Sequence, residues 1–390
     1  MDGTRTPDER TLGLRLDRRG FLGMSAVLAA SGLLAACKRV DEPTGVTGPT
    51  GSTASRPPLE QEPGTLEIYD WTGYGDGSYG DQVLWKPYKK EFPDLPPNFT
   101  TGYDDDKGYA KAAAGQTWDI THPCAYRFPD WVDLDVLQPW DTSLLTTWPQ
   151  LNPALQARGN FDGQQYFLLA DWGYAAPMYR SSLVEPQQPS WDILWDERYE
   201  GKITWWDSVN MLVVAGLYNG VPDVWNMTDE ELAQMRDFLI ERRPLVRTMW
   251  LDEPELIQLM KTEEVWIGYA WTSAWNWSKG KHPDLVYMDP QEGRTSWACG
   301  FALFQDRPNY YHAHKYVDAW LSPESGLWLL QNYAYGHSNT AVDLSQLDPE
   351  MVETFSLDDP SALEEPRSHP ETYIPRRDVY SQFWSEVKAA

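Results

Sequence analysis

An α/β fold large enough for two domains is what this sequence predicts, on three observations. The chain has 390 residues, more than one hydrophobic core usually fills. Short apolar runs with two-residue alternation, such as Leu66-Glu67-Ile68-Tyr69, recur between stretches with helical spacing. Several of those runs end in loops rich in aromatic rings, where an α/β sheet offers ligands a crevice.

Taken in order, residues 1–37 read as an export signal. Arg18-Arg19-Gly20-Phe21-Leu22 is a twin-arginine motif, the apolar run Met24 to Ala36 is too short to span a membrane, and Leu34-Ala35-Ala36-Cys37 has the form of a bacterial lipobox. Cys37 is then the expected lipid anchor. Residues 38–64, rich in Pro, Gly, Ser and Thr, offer too little apolar surface to offset ordering entropy and read as a flexible tether. The first strand follows and runs into Asp70-Trp71-Thr72-Gly73-Tyr74, whose rings suit either a core beside a turn or a ligand wall. Helices are expected at Gln82 to Phe92 and Tyr109 to Ala114, with the acidic run at Asp104 to Asp106 a solvated loop or helix cap.

A strand is expected at Trp118 to Thr121, and Tyr166 to Tyr179 is a long extended run without helical period. Thr228 and Glu231 form a capping box for a helix to Arg242 whose apolar face is Leu232, Met235, Phe238 and Leu239. Further strands are expected at Glu264 to Trp271 and Trp297 to Phe304, and helices at Ala313 to Leu321 and Gly326 to Asn332. Strand alternation places one of Trp205 and Trp206 in the core and leaves open which. His312 and His314, with no third ligand nearby, read as a solvated pair; no metal or cofactor is expected.

Composition narrows the function classes. The chain carries 21 Trp and 21 Tyr, rings whose faces suit sugars, cations or flat ligands. Its formal charge of −26 argues against nucleic acid as a partner, because phosphate backbones are bound through clustered Lys and Arg. No Gly-x-Ser-x-Gly, His-Glu-x-x-His, P-loop or dinucleotide fingerprint is present. A secreted glycosidase with an aromatic cleft and two carboxylates remains a rival class, and a structural surface lipoprotein a third.

The pieces Tyr69-Asp70-Trp71-Thr72-Gly73-Tyr74, Trp118 to Tyr126, Ser190-Trp191, Leu194-Trp195, Tyr199-Glu200-Gly201-Lys202, Ile267 to Trp271 and Tyr335-Gly336, in this order, resemble bacterial periplasmic solute-binding proteins of ABC importers, specifically the spermidine/putrescine-binding group. The resemblance implies a two-lobe periplasmic-binding fold of type II kind with a ligand cleft between lobes that close by hinge motion. Carried over, one lobe holds 65–172 plus 285–340 and the other 173–284 plus 341–390, with hinge candidates at Asp171 to Tyr174 and Tyr269 to Asp289. It further implies no enzymatic activity, a monomer at the outer face of the cytoplasmic membrane or in the periplasm, a membrane permease as partner and a small cationic ligand. Ligand-facing rings are implied at Trp71, Tyr74, Tyr126, Trp271 and Tyr335, with Trp172 and Trp206 as further candidates.

Carboxylates that the family uses to grip ammonium groups are largely replaced: Gly73, Ser208, Met211, Ala274 and Cys299 stand at those places. Asp207 survives, with Asp70 and Asp171 near cleft loops, which admits a quaternary ammonium as an alternative ligand. Cys124 and Cys299 also fall at implied pocket positions. Both a disulfide and two buried free thiols are open, the second preferred.

Overall fold

The computed structural model describes residues 56, 58–75, 84–102, 105–363 and 368–390. The twin-arginine motif, Cys37 and most of the tether lie outside the described residues. The last part of that tether is held to the body: Leu59–Gln61 forms a helical turn, and Glu62 accepts hydrogen bonds from the Tyr311 and His312 amides at 2.8 and 3.0 Å. Those amides open a helix, so the carboxylate caps donors that have no intrahelical partner.

One large mixed sheet organises the chain. Its main strands are β1 (Glu67–Trp71), β2 (Asn98–Gly102), β3 (Ile120–Thr121), β4 (Phe167–Arg180), β5 (Ile203–Trp206), β6 (Val246–Trp250), β7 (Ile267–Trp271) and β8 (Arg294–Phe304), in the order β2-β1-β3-β8-β4-β7-β5-β6. At one end β1 runs parallel to β2 and β3, and at the other β5 runs parallel to β6 and β7. Between them lie β4 and β8, antiparallel and paired from Thr295↔Ala175 to Ala302↔Phe167. The expected extended run is thus a 14-residue strand, buried at every position but Tyr179, which explains its unbroken apolar character. Two short strands, β9 (Gly336–His337) and β10 (Ser368–Pro370), add to β4 and β8.

The hinge candidate Asp171 to Tyr174 lies within β4, beside β8. The second candidate, Tyr269 to Asp289, runs from the end of β7 through a helix, Thr272–Lys279, to a short strand, Leu285–Tyr287, which pairs with Met178 to Arg180 on the edge of β4 opposite to β7. The second long central strand is Arg294–Phe304.

Five helices matter for the site: α1 (Asp105–Ala113), α2 (Asp229–Arg242), α3 (Glu253–Lys261), α4 (Tyr310–Trp320) and α5 (Arg377–Ala389). The capping box of α2 forms as its sequence requires, and Leu232, Met235 and Leu239 are buried. Helix α5 packs on α2, where Tyr380 donates to the Val224 carbonyl at 2.9 Å and accepts from the Met227 amide at 2.7 Å. His312 and His314, expected in solvent, are core residues of α4. His312 Nδ1 lies 3.0 Å from the Tyr88 hydroxyl, and His314 Nε2 accepts from the Asp141 amide at 3.1 Å.

Candidate functional site

Strand ends build a cavity of about 870 Å³, counting the part open to solvent. Trp71 ends β1 and Tyr74 follows it, Trp206 ends β5, Trp271 ends β7, and Tyr126, Trp297 and Tyr335 complete the aromatic wall. The rings brace one another: Trp206 meets Trp271 edge-on at 5.0 Å, and Trp297 meets Tyr335 at 4.7 Å. The loop after β1 turns at Gly73, whose φ of 102° lies where a side chain is strained, and its carbonyl accepts from the Tyr333 hydroxyl at 2.9 Å. A carboxylate at that position would come at the cost of the turn.

Trp205 is wholly buried and donates its indole N–H to the Leu194 carbonyl at 3.0 Å, which leaves Trp206 as the partner facing the cavity. Three expected site residues do not line it. Asp207 instead accepts from the Trp384 indole at 2.7 Å and pairs with Lys388 at 3.0 Å, tying β5 to α5. Trp172 is buried in β4 against Gly336, where even a Cβ would come within 1.9 Å of the indole. Asp70 lies on the opposite face of β1 from Trp71 and is fully buried beside His122.

Cys124 and Cys299 line the cavity joined by a disulfide, overturning the preference for two free thiols. Their backbones form an antiparallel bridge beside the β8 bulge at Cys299 and Gly300, which brings the two side chains together.

Two carboxylates that sequence reasoning missed stand in the wall. Glu253, at the first turn of α3, accepts from the Ser273 hydroxyl, which is itself 2.6 Å from the Tyr335 hydroxyl. Glu371, just after β10, accepts from Asn210 Nδ2 at 2.6 Å. Burial raises the Glu253 carboxyl to about 7 against the hydrogen bonds from Ser273 and the Ala274 N–H. It raises Glu371 to about 7 against those of Asn210 and the charge of Arg377. The signal for Glu253 was available: Trp250-Leu251-Asp252-Glu253-Pro254 is one more strand end followed by a capped helix. Glu371 had none, since only tertiary packing brings the C-terminal segment to the cleft.

One cation completes the wall. Arg377 reaches from α5 to Asp106 on α1, with Nε 2.9 Å from each carboxylate oxygen, and its guanidinium lies 4.7 Å over the Tyr126 ring. Arg127 also contacts Asp106, at 3.1 Å. Of the acidic run expected as a solvated loop or helix cap, Asp105 and Asp106 open α1 while Asp104 lies outside the described residues, and Asp105 is buried, accepting from the Cys124 amide at 2.9 Å. With Arg377 paired to Asp106, Glu253 and Glu371 leave the wall anionic at neutral pH and above.

The profile of the family described as bacterial extracellular solute-binding protein matches residues 84–354. This chain belongs to that family. Solute-binding proteins of ABC importers bind small ligands and hand them to a permease, and the two-lobe architecture seen here is theirs. Among relatives, the spermidine/putrescine-binding periplasmic proteins of Salmonella typhimurium and Escherichia coli are each 23% identical over 299 residues, covering 75% of this chain and 82% of theirs. Among solved structures, a putative spermidine/putrescine ABC transporter protein from Listeria monocytogenes matches with TM-score 0.72 at 21% identity, covering 83% of this chain and 99% of that one. The PBP MotA from A. tumefaciens B6 in complex with glucopine matches with TM-score 0.68 at 18% identity and the same coverage. These two likenesses speak for the fold. Glu371, Ile374 and Arg377 of the cavity wall lie beyond the residues that the family profile matches.

Proposed function

We propose that this solute-binding protein captures a linear polyamine in the aromatic cavity and delivers it to an ABC permease. The observation that carries this reading is the pair of carboxylates, buried Glu253 and half-buried Glu371, in a wall made largely of Trp and Tyr faces. Ring faces take the methylene chain of such a ligand, and carboxylates take its ammonium groups through charge-assisted hydrogen bonds. The names of the spermidine/putrescine-binding relatives support the same class. Two carboxylates favour two cationic centres over the single head of a quaternary ammonium.

The protein works outside the cytoplasm, exported by the twin-arginine route and held to the membrane by lipid on Cys37. Among the described residues no helix is long and apolar enough to cross a membrane. The sequence of the signal and lipobox supports the anchor, and metabolic labelling with a fatty acid, lost in Cys37→Ser, tests it. Calorimetric titration with spermidine, putrescine, choline and glycine betaine tests the ligand class. Tight binding of spermidine or putrescine is expected; binding of choline or glycine betaine with no response to either polyamine overturns the reading.

A further inference from the structure

Behind the aromatic wall lies a cluster that the proposed ligand contacts do not use. His122 stands between two carboxylates, its Nδ1 2.9 Å from Asp70 Oδ1 and its Nε2 3.1 Å from Asp171 Oδ1. The other Asp171 oxygen accepts from the Tyr74 hydroxyl at 2.5 Å, and Tyr74 lines the cavity. The His122 carbonyl accepts the Trp71 indole N–H at 2.9 Å, so the same residue anchors both rings of the loop after β1. All three side chains of the cluster are fully buried, with Phe301 stacked on the imidazole at 4.0 Å and Trp320 edge-on at 5.6 Å.

Ionised carboxylates only accept hydrogen bonds, so satisfying both requires both ring nitrogens to donate, which is the imidazolium form. One cation between two anions leaves the cluster with a net negative charge in surroundings of low polarity. We propose that Asp70, His122 and Asp171 form a charged positioning relay that sets the Tyr74 hydroxyl and the Trp71 ring and places negative charge directly behind the ligand wall. The relay supplies from beneath the charge that the turn at Gly73 excludes from the surface of the same loop.

The surrounding groups are consistent with it. Burial alone would lower the His122 ring, but Asp171 and Asp70 overcome this and lift it to about 9. Tyr74, Tyr335 and Tyr316, which face Asp171 and Asp70, are pushed up by burial and by those carboxylates and stay neutral. His337 on β9, which faces Asp171, is held down to about 4 by burial and also stays neutral. Asp105 lines a small cavity together with Asp70 and His122.

The part of this inference that concerns affinity rests on the polyamine reading; the charge state of the relay does not. Nitrogen-15 NMR of the full unliganded protein labelled at histidine, with the His122 signals assigned by their loss in His122→Asn, reads that state directly. Two protonated ring nitrogens at pH 7, titrating only above pH 8 and at a lower pH in Asp70→Asn, are expected. A neutral His122 ring at pH 7 in the parent protein overturns the relay.

Calorimetry with spermidine then reads its effect. Asp171→Asn should weaken binding about tenfold, and Asp70→Asn severalfold although Asp70 touches neither Tyr74 nor the cavity. Unchanged affinity in both variants, with near-ultraviolet circular dichroism matching the parent, overturns the relay's role in binding. A parent protein that shows the imidazolium but takes up no spermidine or putrescine supports the relay and overturns the ligand reading alone.

Discussion

Replacing Glu253 by Gln separates what its carboxylate does for binding from what it costs the empty protein. Gln keeps an oxygen to accept from Ser273 but carries no charge. In the empty cavity, burial lifts this carboxyl from its ordinary 4.5 to about 7. The folded state therefore holds the proton to higher pH than the unfolded chain, so this group's contribution to stability falls as pH rises from about 4.5 through about 7. At neutral pH the penalty has a ceiling of about 3 kcal/mol. Glu253→Gln should remove most of it and raise the melting temperature of the empty protein at pH 7.5, with little change at pH 4.5. Binding should move the other way. A charge-assisted hydrogen bond to an ammonium contributes about 1.5–3 kcal/mol, so spermidine affinity should drop roughly 10- to 150-fold. Thermal melts at both pH values and calorimetry at pH 7.5 check the two halves. A variant less stable than the parent at pH 7.5, or one with parental affinity, refutes the reasoning.

Four further expectations follow from the same geometry. Spermidine affinity should rise between pH 5.5 and 8, because Glu253 and Glu371, both lifted to about 7, must be ionised to hold a cation; a flat profile across that range in calorimetry would count against both residues. Arg377→Ala removes the bifurcated link from α5 to Asp106 on α1, and small-angle scattering of the empty protein should show a larger radius of gyration, with faster ligand release in stopped flow. Trp206→Ala and Trp271→Ala each remove one partner of an edge-on pair in the wall and should weaken spermidine binding about tenfold while diminishing the ligand-induced change in tryptophan fluorescence. Cys124 and Cys299 should resist alkylation unless reductant is added, and Cys124→Ser/Cys299→Ser should lose about 2–5 kcal/mol in denaturant unfolding, since the bridge closes a loop with a sequence separation of 175.

The fold was legible where local pattern and tertiary role agree. The capping box of α2, the long buried run of β4 and the rings at the ends of β1, β5 and β7 announce themselves through spacing that survives without knowledge of the neighbours. The charges of the site, Glu253 apart, were not legible in that way. Asp207 sits at a strand end like a ligand residue, yet the indole of Trp384 and the ammonium of Lys388, some 180 positions away, claim it for packing. Glu371 sits in an unremarkable polar stretch and reaches the cleft because β10 adds to β8. His312 and His314 look exposed beside two tyrosines until α4 is seen to bury them. A ring at a strand end goes to the core or to the cleft, as Trp250 and Trp271 do, whereas a carboxylate goes wherever a partner from another part of the chain can neutralise it.

The family profile stops at residue 354, and Glu371, Ile374 and Arg377 come after it. Most of the cavity wall, Glu253 included, lies within the matched residues, while these three at one end and Trp71, Thr72 and Tyr74 at the other lie outside them. On the polyamine reading, one ammonium partner, Glu253, comes with the shared portion of the chain, and the other, Glu371, comes from the C-terminal segment. Exchanging only residues 368–377 between two such receptors would therefore exchange one half of the proposed grip and leave the other half in place.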